Sequence, residues 1–323
     1  LNHVNRYYII FIQVFLNLEK LDYYERRLIV DLKGCYVALV TPFDNDNEIN
    51  EEGLRSNVDY LINNGVAGVV PCGTTGESAT MTWQEHNKVI DIVIDEVQGR
   101  VSVIAGAGSN STKEAIEAAQ HAKNKNADAI LCITPYYNKP TQVGLYQHFK
   151  EITSIVKIPT VVYNVPSRTG VNILPETLER LCESKFIIGV KEASGDILQV
   201  SEIHRRCGDR LAILSGDDML TLPILSCGGR GVISVVGNIL PLKMVSMISS
   251  FFEKNITEAM KIHEELLPVS QAMFIETNPI SVKTAMNYLG FKAGTLRLPL
   301  VPMAENNKQH LFSVLKENNV KPI

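Results

Sequence analysis

From Gly34 to Ser234 the chain alternates between two rhythms. Short apolar, largely β-branched runs read as strands: Tyr36–Val40, Gly68–Val70, Val101–Ala105, Ala129–Ile133, Thr160–Tyr163, Ile187–Lys191, Ala212–Ser215 and Gly231–Ser234. Between them apolar residues recur every three or four positions, as in EEGLRSNVDYLINN, TWQEHNKVIDIVIDEV and STKEAIEAAQHAKNK. That is the period of a half-buried helix. Start signals agree with it. Thr82 can cap one helix, Ser111 or Thr112 the next with Glu114 nearby, and Pro175 sits at a first turn. Successive strand–helix units of this number predict an α/β protein built as a closed (β/α)8 barrel. An open, doubly wound sheet is the alternative that the same pattern permits. Beyond the eighth unit the helical period persists over 257–272, 277–289 and 304–318. We therefore expect a catalytic barrel over 34–254 and an appended C-terminal helical region over 255–323.

Residues 1–33 follow neither rhythm. Tyr7 to Leu18 is apolar and aromatic, but a membrane-spanning helix needs about 20 residues, and this run is shorter. It also lacks a basic start and a small-residue cleavage site. With Leu1 rather than Met in first place, we read 1–33 as an extension outside the domain, from a misplaced start. A membrane-targeting helix is the alternative.

Composition narrows the function classes. A hydrophobic content of 45% supports a sizeable core, and a net charge of −4 gives no electrostatic reason to expect nucleic acid. The six cysteines (Cys35, Cys72, Cys132, Cys182, Cys207 and Cys227) are scattered without a C-x-x-C pair, as befits reduced thiols in the cytoplasm. The seven histidines form no H-E-x-x-H or other ligand cluster, so neither a metal nor a cofactor is expected.

In a barrel of this kind the chemistry lies at the carboxyl ends of the strands. The unusual motifs fall there: PCGTTGES after the second strand, TPYYNKP after the fourth, YNVPSRTG after the fifth, KEAS at the sixth, SGDD at the seventh and ISVVGN at the eighth. The glycines of GTTGES let backbone approach a ligand, and successive N–H groups of Thr74 and Thr75 can hold a small carboxylate. No lysine follows its second glycine, so it is not a P-loop. IAGAGSNS opens like a dinucleotide fingerprint but has Ser111 where the third glycine belongs. Taken singly, each motif also reads as an ordinary turn, its tyrosines as core aromatics and Arg168 as a surface arginine.

Lys191 does not admit so bland a reading. A lysine ending a buried strand, FIIGVKEAS, must lose its proton or gain a purpose. A desolvated amine with lowered pKa is what a carbonyl substrate needs, because only the neutral amine forms a Schiff base. The iminium is then an electron sink, and an adjacent carbon becomes a nucleophile without metal assistance.

GTTGES, the lysine of GVKEAS, and YNVPSRTG with its preceding TPYYNKP together resemble the pyruvate-dependent class I aldolases of the N-acetylneuraminate lyase superfamily. Within it, the closest resemblance is to the dihydrodipicolinate synthase family, from about Gly34 to near the C-terminus. The resemblance implies condensation of pyruvate with L-aspartate 4-semialdehyde to 4-hydroxy-tetrahydrodipicolinate, on the route to diaminopimelate and lysine. It implies that Lys191 forms the imine, and that Tyr163 is the general acid/base relayed through Thr74 and Tyr137. Thr75 would lie at the pyruvate carboxylate and Arg168 at the semialdehyde carboxylate, with Gly216 and the Ile233 carbonyl lining the substrate. In this family the second tyrosine of the YY pair serves a neighbouring subunit, which implies a homo-oligomer, usually a dimer of dimers. A sister lyase acting on N-acetylneuraminate or a 2-keto-3-deoxy sugar acid would share fold and lysine; Arg168 argues against it. A non-catalytic scaffold barrel would have no use for Lys191, Tyr163, Thr74 and Tyr137 together. The resemblance further implies an interface site for feedback by L-lysine at Ser78, Ala79, His86, Asn110, Glu114 and Tyr136. Trp83 stands there in place of a second histidine.

Overall fold

The computed structural model describes residues 30–323, and the apolar stretch Tyr7–Leu18 lies outside them. A compact unit runs from Leu32 to Ile323. Its strands are β1 (Gly34–Ala38), β2 (Gly68–Val70), β3 (Ser102–Gly106), β4 (Ala129–Ile133), β5 (Thr160–Asn164), β6 (Ile187–Glu192), β7 (Ala212–Ser215) and β8 (Gly231–Ser234). Each pairs in parallel with the next, and β8 returns to β1 through Gly34↔Gly231 and Tyr36↔Ile233. The sheet is therefore closed, which rules out the open doubly wound alternative. At the seam a Cβ on Gly231 would collide with the Gly34 carbonyl oxygen, so the absence of a side chain there is a condition of closure.

Helices α1 (Glu51–Asn63), α2 (Trp83–Val97), α3 (Thr112–Asn124), α4 (Gln142–Val156), α5 (Pro175–Leu181), α6 (Ile197–Cys207), α7 (Thr221–Ser226) and α8 (Pro241–Phe252) follow the strands in turn. Their buried stripes, such as Val89, Ile90 and Val93 on α2, meet the outward-facing strand residues in one continuous core. Thr82 and Glu85 form a reciprocal capping box at the start of α2, Ser111 caps α3, and Pro175 occupies the first turn of α5. The tail consists of α9 (Ile256–Ala272), α10 (Ile280–Tyr288) and α11 (Glu305–Glu317). The middle of these is shorter than the period over 277–289 predicts. Pro279 lacks an N–H and disfavours helical backbone at Asn278, so the helix begins only at Ile280.

Alternation along β6 decides what reaches the barrel interior. Gly189 and Lys191 share the inner face, where a Cβ on Gly189 would meet Leu32 Cδ1 at 2.7 Å. Glu192 turns the other way, toward the helix layer. There it accepts from Asn164 Nδ2 at 3.0 Å, Ser194 N at 2.7 Å and Gln199 Nε2 at 3.3 Å. Burial pushes the Glu192 carboxyl up, against the pull of these donors. The strand runs one residue beyond Lys191 because this network satisfies the carboxylate that follows it.

Candidate active site

Three strand ends bring the central groups together. Lys191 on β6 pairs in register with Tyr163 on β5, and its Nζ lies 4.5 Å from the centre of the Tyr163 ring. Only 6% of Lys191 is exposed. Burial lowers its pKa from 10.5 to about 8; Asp218 pulls it up and Arg168 pushes it down. A pKa near 8 leaves about a tenth of the amine neutral at pH 7. Gly216, after β7, leaves room for the side chain, since a Cβ there would stand 3.2 Å from Lys191 Cε and 2.6 Å from Ala193 Cβ.

The Tyr163 phenol is raised by burial, with Arg168 and a hydrogen bond to Thr74 opposing the rise. An unassisted phenol of this kind is a poor base near neutrality and needs a partner to pass its proton to. The loop bearing Thr74 is a tight turn. Gly76 N donates to Gly73 O, Glu77 N to Thr74 O, and Thr41 Oγ1 to Gly76 O at 2.8 Å. These bonds do not use the N–H groups of Thr74 and Thr75, and Thr75 is buried.

Arg168, an exposed residue, lies on a single helical turn, Pro166–Thr169, after β5. Its Nη2 donates to the Asn278 carbonyl at 3.4 Å. Ile233 is buried in β8. Tyr137, predicted to complete the relay, is not buried with these groups. It is 90% exposed, on left-handed backbone with φ 71°. A cavity of about 590 Å³ is lined by Thr74, Arg168 and Asn278, and also by Ser78, Ala79, His86, Glu114 and Tyr136 together with Trp83. Asn110 is not among its walls; its carbonyl instead accepts from Asn138 Nδ2 at 2.9 Å.

Several supporting groups escape a reading of the sequence. Asp218 is buried beside the lysine, its Oδ2 accepting from Val235 N and Val236 N, both at 2.9 Å. Glu77, inside the GTTGES turn, is buried on left-handed backbone and accepts from Lys283 Nζ at 2.6 Å. Asn278 Nδ2 donates to Thr75 Oγ1 at 2.9 Å. Asp218 had a signal in the SGDD motif; Asn278 and Lys283 sit in a helical tail with no visible tie to the barrel mouth. Among the described residues no cluster of three or more His, Cys, Asp or Glu is placed to hold a metal ion, and no helix is long and apolar enough to cross a membrane.

A buried amine beside a phenol is an arrangement that can form a Schiff base. Residues 31–318 match the model of the dihydrodipicolinate synthetase family. The 4-hydroxy-tetrahydrodipicolinate synthase of Geotalea uraniireducens (strain Rf4) is 52% identical over 285 residues, 88% of this chain and 98% of its own. A solved dihydrodipicolinate synthase is 52% identical with a TM-score of 0.87, covering 90% of this chain and 100% of its own. The chloride-inhibited dihydrodipicolinate synthase of Acinetobacter baumannii, solved in complex with pyruvate, is 38% identical with a TM-score of 0.87 over 90% of this chain and 99% of its own. Buried amine, phenol and threonine turn thus stand in a barrel matched nearly end to end, and the chain belongs to the dihydrodipicolinate synthetase family.

Proposed function

We propose that this chain condenses pyruvate with L-aspartate 4-semialdehyde to give 4-hydroxy-tetrahydrodipicolinate, through a Schiff base on Lys191. The observation that carries the reading is the buried Lys191, its pKa lowered by burial to about 8 and its Nζ 4.5 Å from the centre of the Tyr163 ring. The neutral amine adds to C2 of pyruvate, and loss of water gives the imine. Tyr163, relayed through Thr74, supplies and removes the protons. Loss of a proton from C3 gives the enamine, whose C3 attacks the aldehyde carbon of the second substrate. That substrate's own amino group then adds to C2 and displaces Lys191, closing the ring and freeing the enzyme.

Thr75 holds the pyruvate carboxylate, and Gly216 and the Ile233 carbonyl border the substrate. Arg168 holds the semialdehyde carboxylate, a task suited to a planar fork of donors. Arg168→Ala should weaken use of the semialdehyde by about 1.5–3 kcal/mol in kcat/KM, the worth of a hydrogen bond to a charged group. Pyruvate imine formation should survive in that variant. Equal losses in both steps would make Arg168 a support of the fold instead.

Tyr137 completes the relay in a second subunit, and its exposure in the single chain supports this reading. We accordingly place the active enzyme in a homo-oligomer, a dimer of dimers, acting in the cytoplasm on free small molecules. The assay that tests the whole reading is turnover of the purified protein with pyruvate and aspartate semialdehyde.

L-lysine is the feedback effector in this proposal. Glu114, whose Oε2 accepts from Ser109 Oγ at 2.6 Å, would pair with its ammonium group, and Tyr136 and Asn110 with its carboxylate. Burial lowers the His86 pKa to about 4, so that wall offers a neutral ring, edge-on to Trp83 at 5.1 Å. Millimolar L-lysine should inhibit turnover, and Glu114→Ala should relieve inhibition by about 1–3 kcal/mol of coupling. Inhibition unchanged in the variant would place the effector elsewhere.

A further inference from the structure

Asn278 lies far from the barrel in sequence, yet it touches both halves of the proposed reaction. It is 7% exposed, and it lines the same cavity as Arg168 and Thr74. Three of its polar groups differ in what they meet. The side-chain Nδ2 donates to Thr75 Oγ1 at 2.9 Å. The backbone carbonyl accepts from Arg168 Nη2 at 3.4 Å. The side-chain Oδ1 is buried and has no hydrogen-bond partner.

A threonine hydroxyl carries one proton and two lone pairs. With Asn278 filling a lone pair, the Thr75 proton stays free to donate to a carboxylate. The orphaned Oδ1 carries a different implication. A buried acceptor left unpaired is costly, and native structures tolerate it mainly where a ligand or ordered water completes it. The Arg168 guanidinium, which donates to the backbone carbonyl of this same residue, is suited to a carboxylate. A cation bonded to the backbone of the residue that carries an unfilled acceptor matches the headgroup of an α-amino acid, in which carboxylate and ammonium leave the same carbon.

The residue is also firmly held. In the first turn of α10, five residues on, Lys283 Nζ bonds Glu77 Oε1 at 2.6 Å and Thr41 O at 2.9 Å. The start of α10 is thus fixed to the turn that carries Thr75 at two points, so Oδ1 cannot easily swing away to find another partner.

We propose that Asn278 is a specificity-determining residue, its Oδ1 receiving the α-ammonium of the acceptor while its Nδ2 aims the Thr75 hydroxyl at the pyruvate carboxylate. This rests on the function proposed above and adds the group that separates an α-amino aldehyde from other acceptors. A site built to hydrogen-bond an N–H rejects an analogue lacking it far more strongly than a merely apolar pocket does.

The test compares two aldehydes of equal chain length. Aspartate semialdehyde carries the amino group; succinate semialdehyde, used as a competitive inhibitor, lacks it. In Asn278→Ala the KM for aspartate semialdehyde should rise about ten-fold or more, as for loss of a bond to a charged group. The Ki for succinate semialdehyde should move by less than about two-fold, since that ligand has no ammonium to lose. Asn278→Asp, nearly the same shape, keeps an acceptor oxygen but not the donor. It should retain the discrimination between the aldehydes while raising the KM for pyruvate. A parallel rise for both aldehydes in Asn278→Ala, or lost discrimination in Asn278→Asp, overturns the proposal. If Asn278→Ala fails to fold, as judged by its melting transition, the Asn278→Asp arm decides alone. Wild-type protein that fails to turn over aspartate semialdehyde at all would instead overturn the function on which this rests.

Discussion

Treating the protein with pyruvate and borohydride should leave a reduced three-carbon adduct on Lys191, and Lys191→Ala should leave none. Turnover should fall by about 10³-fold or more, the scale on which loss of a covalent nucleophile acts. The pH dependence has a definite sign. The pKa is lowered from 10.5 to about 8, and only the neutral amine attacks. Trapping at subsaturating pyruvate should therefore quicken as pH rises from 6 to 8 and level off above. Peptide mapping of the adduct decides the matter, and label on any other lysine would refute the mechanism. Lys283 is the instructive control. Burial lowers its pKa too, but Glu77 works against that shift and its Nζ already binds Glu77 and two carbonyls. An ammonium with every proton engaged has no lone pair to offer.

Removing one member of that pair should be the most damaging change to stability away from the barrel core. Lys283 and Glu77 are 1% and 0% exposed at their side chains, so neither charge has water to fall back on. Lys283→Met leaves a buried carboxylate unpaired, which costs about 3–5 kcal/mol. Glu77→Leu, which leaves a buried ammonium unpaired, should cost a similar amount. The double variant Lys283→Met, Glu77→Leu should recover much of the loss, because apolar replacement of a buried pair is often neutral. Denaturant midpoints of the three proteins measure this directly. Additive losses in the double variant would mean that the two residues support the fold separately.

The barrel was legible because its signals are local and repeated. Strand runs and helical stripes recur, and caps such as Thr82 with Glu85 form from residues three apart. Strand ends shifted by a residue or two: β1 begins at Gly34 rather than Tyr36, because the closing pair Gly34↔Gly231 is a partner that the strand's own residues do not reveal. Lys191 was legible for the opposite reason, as a local conflict between a charged residue and a buried strand. What stayed hidden depends on long-range neighbours. Asn278 meets Thr75 across 203 positions and Lys283 meets Glu77 across 206, and no periodicity encodes such distances. Glu77 looked like a turn residue, yet it is the buried anchor of the turn.

The two faces of β6 give the enzyme's reagent a parity. Lys191 and Glu192 are neighbours in the chain and opposites in space, one beside Tyr163 and the other tied to Asn164, Ser194 and Gln199. A slip of one residue would exchange them, presenting a carboxylate to pyruvate and an ammonium to the helix layer. Insertions or deletions between α5 and β6 are therefore tolerable only when the loop absorbs them entirely. A shift passed on to the strand would invert the charge at the reacting centre while leaving every residue of the site in the sequence.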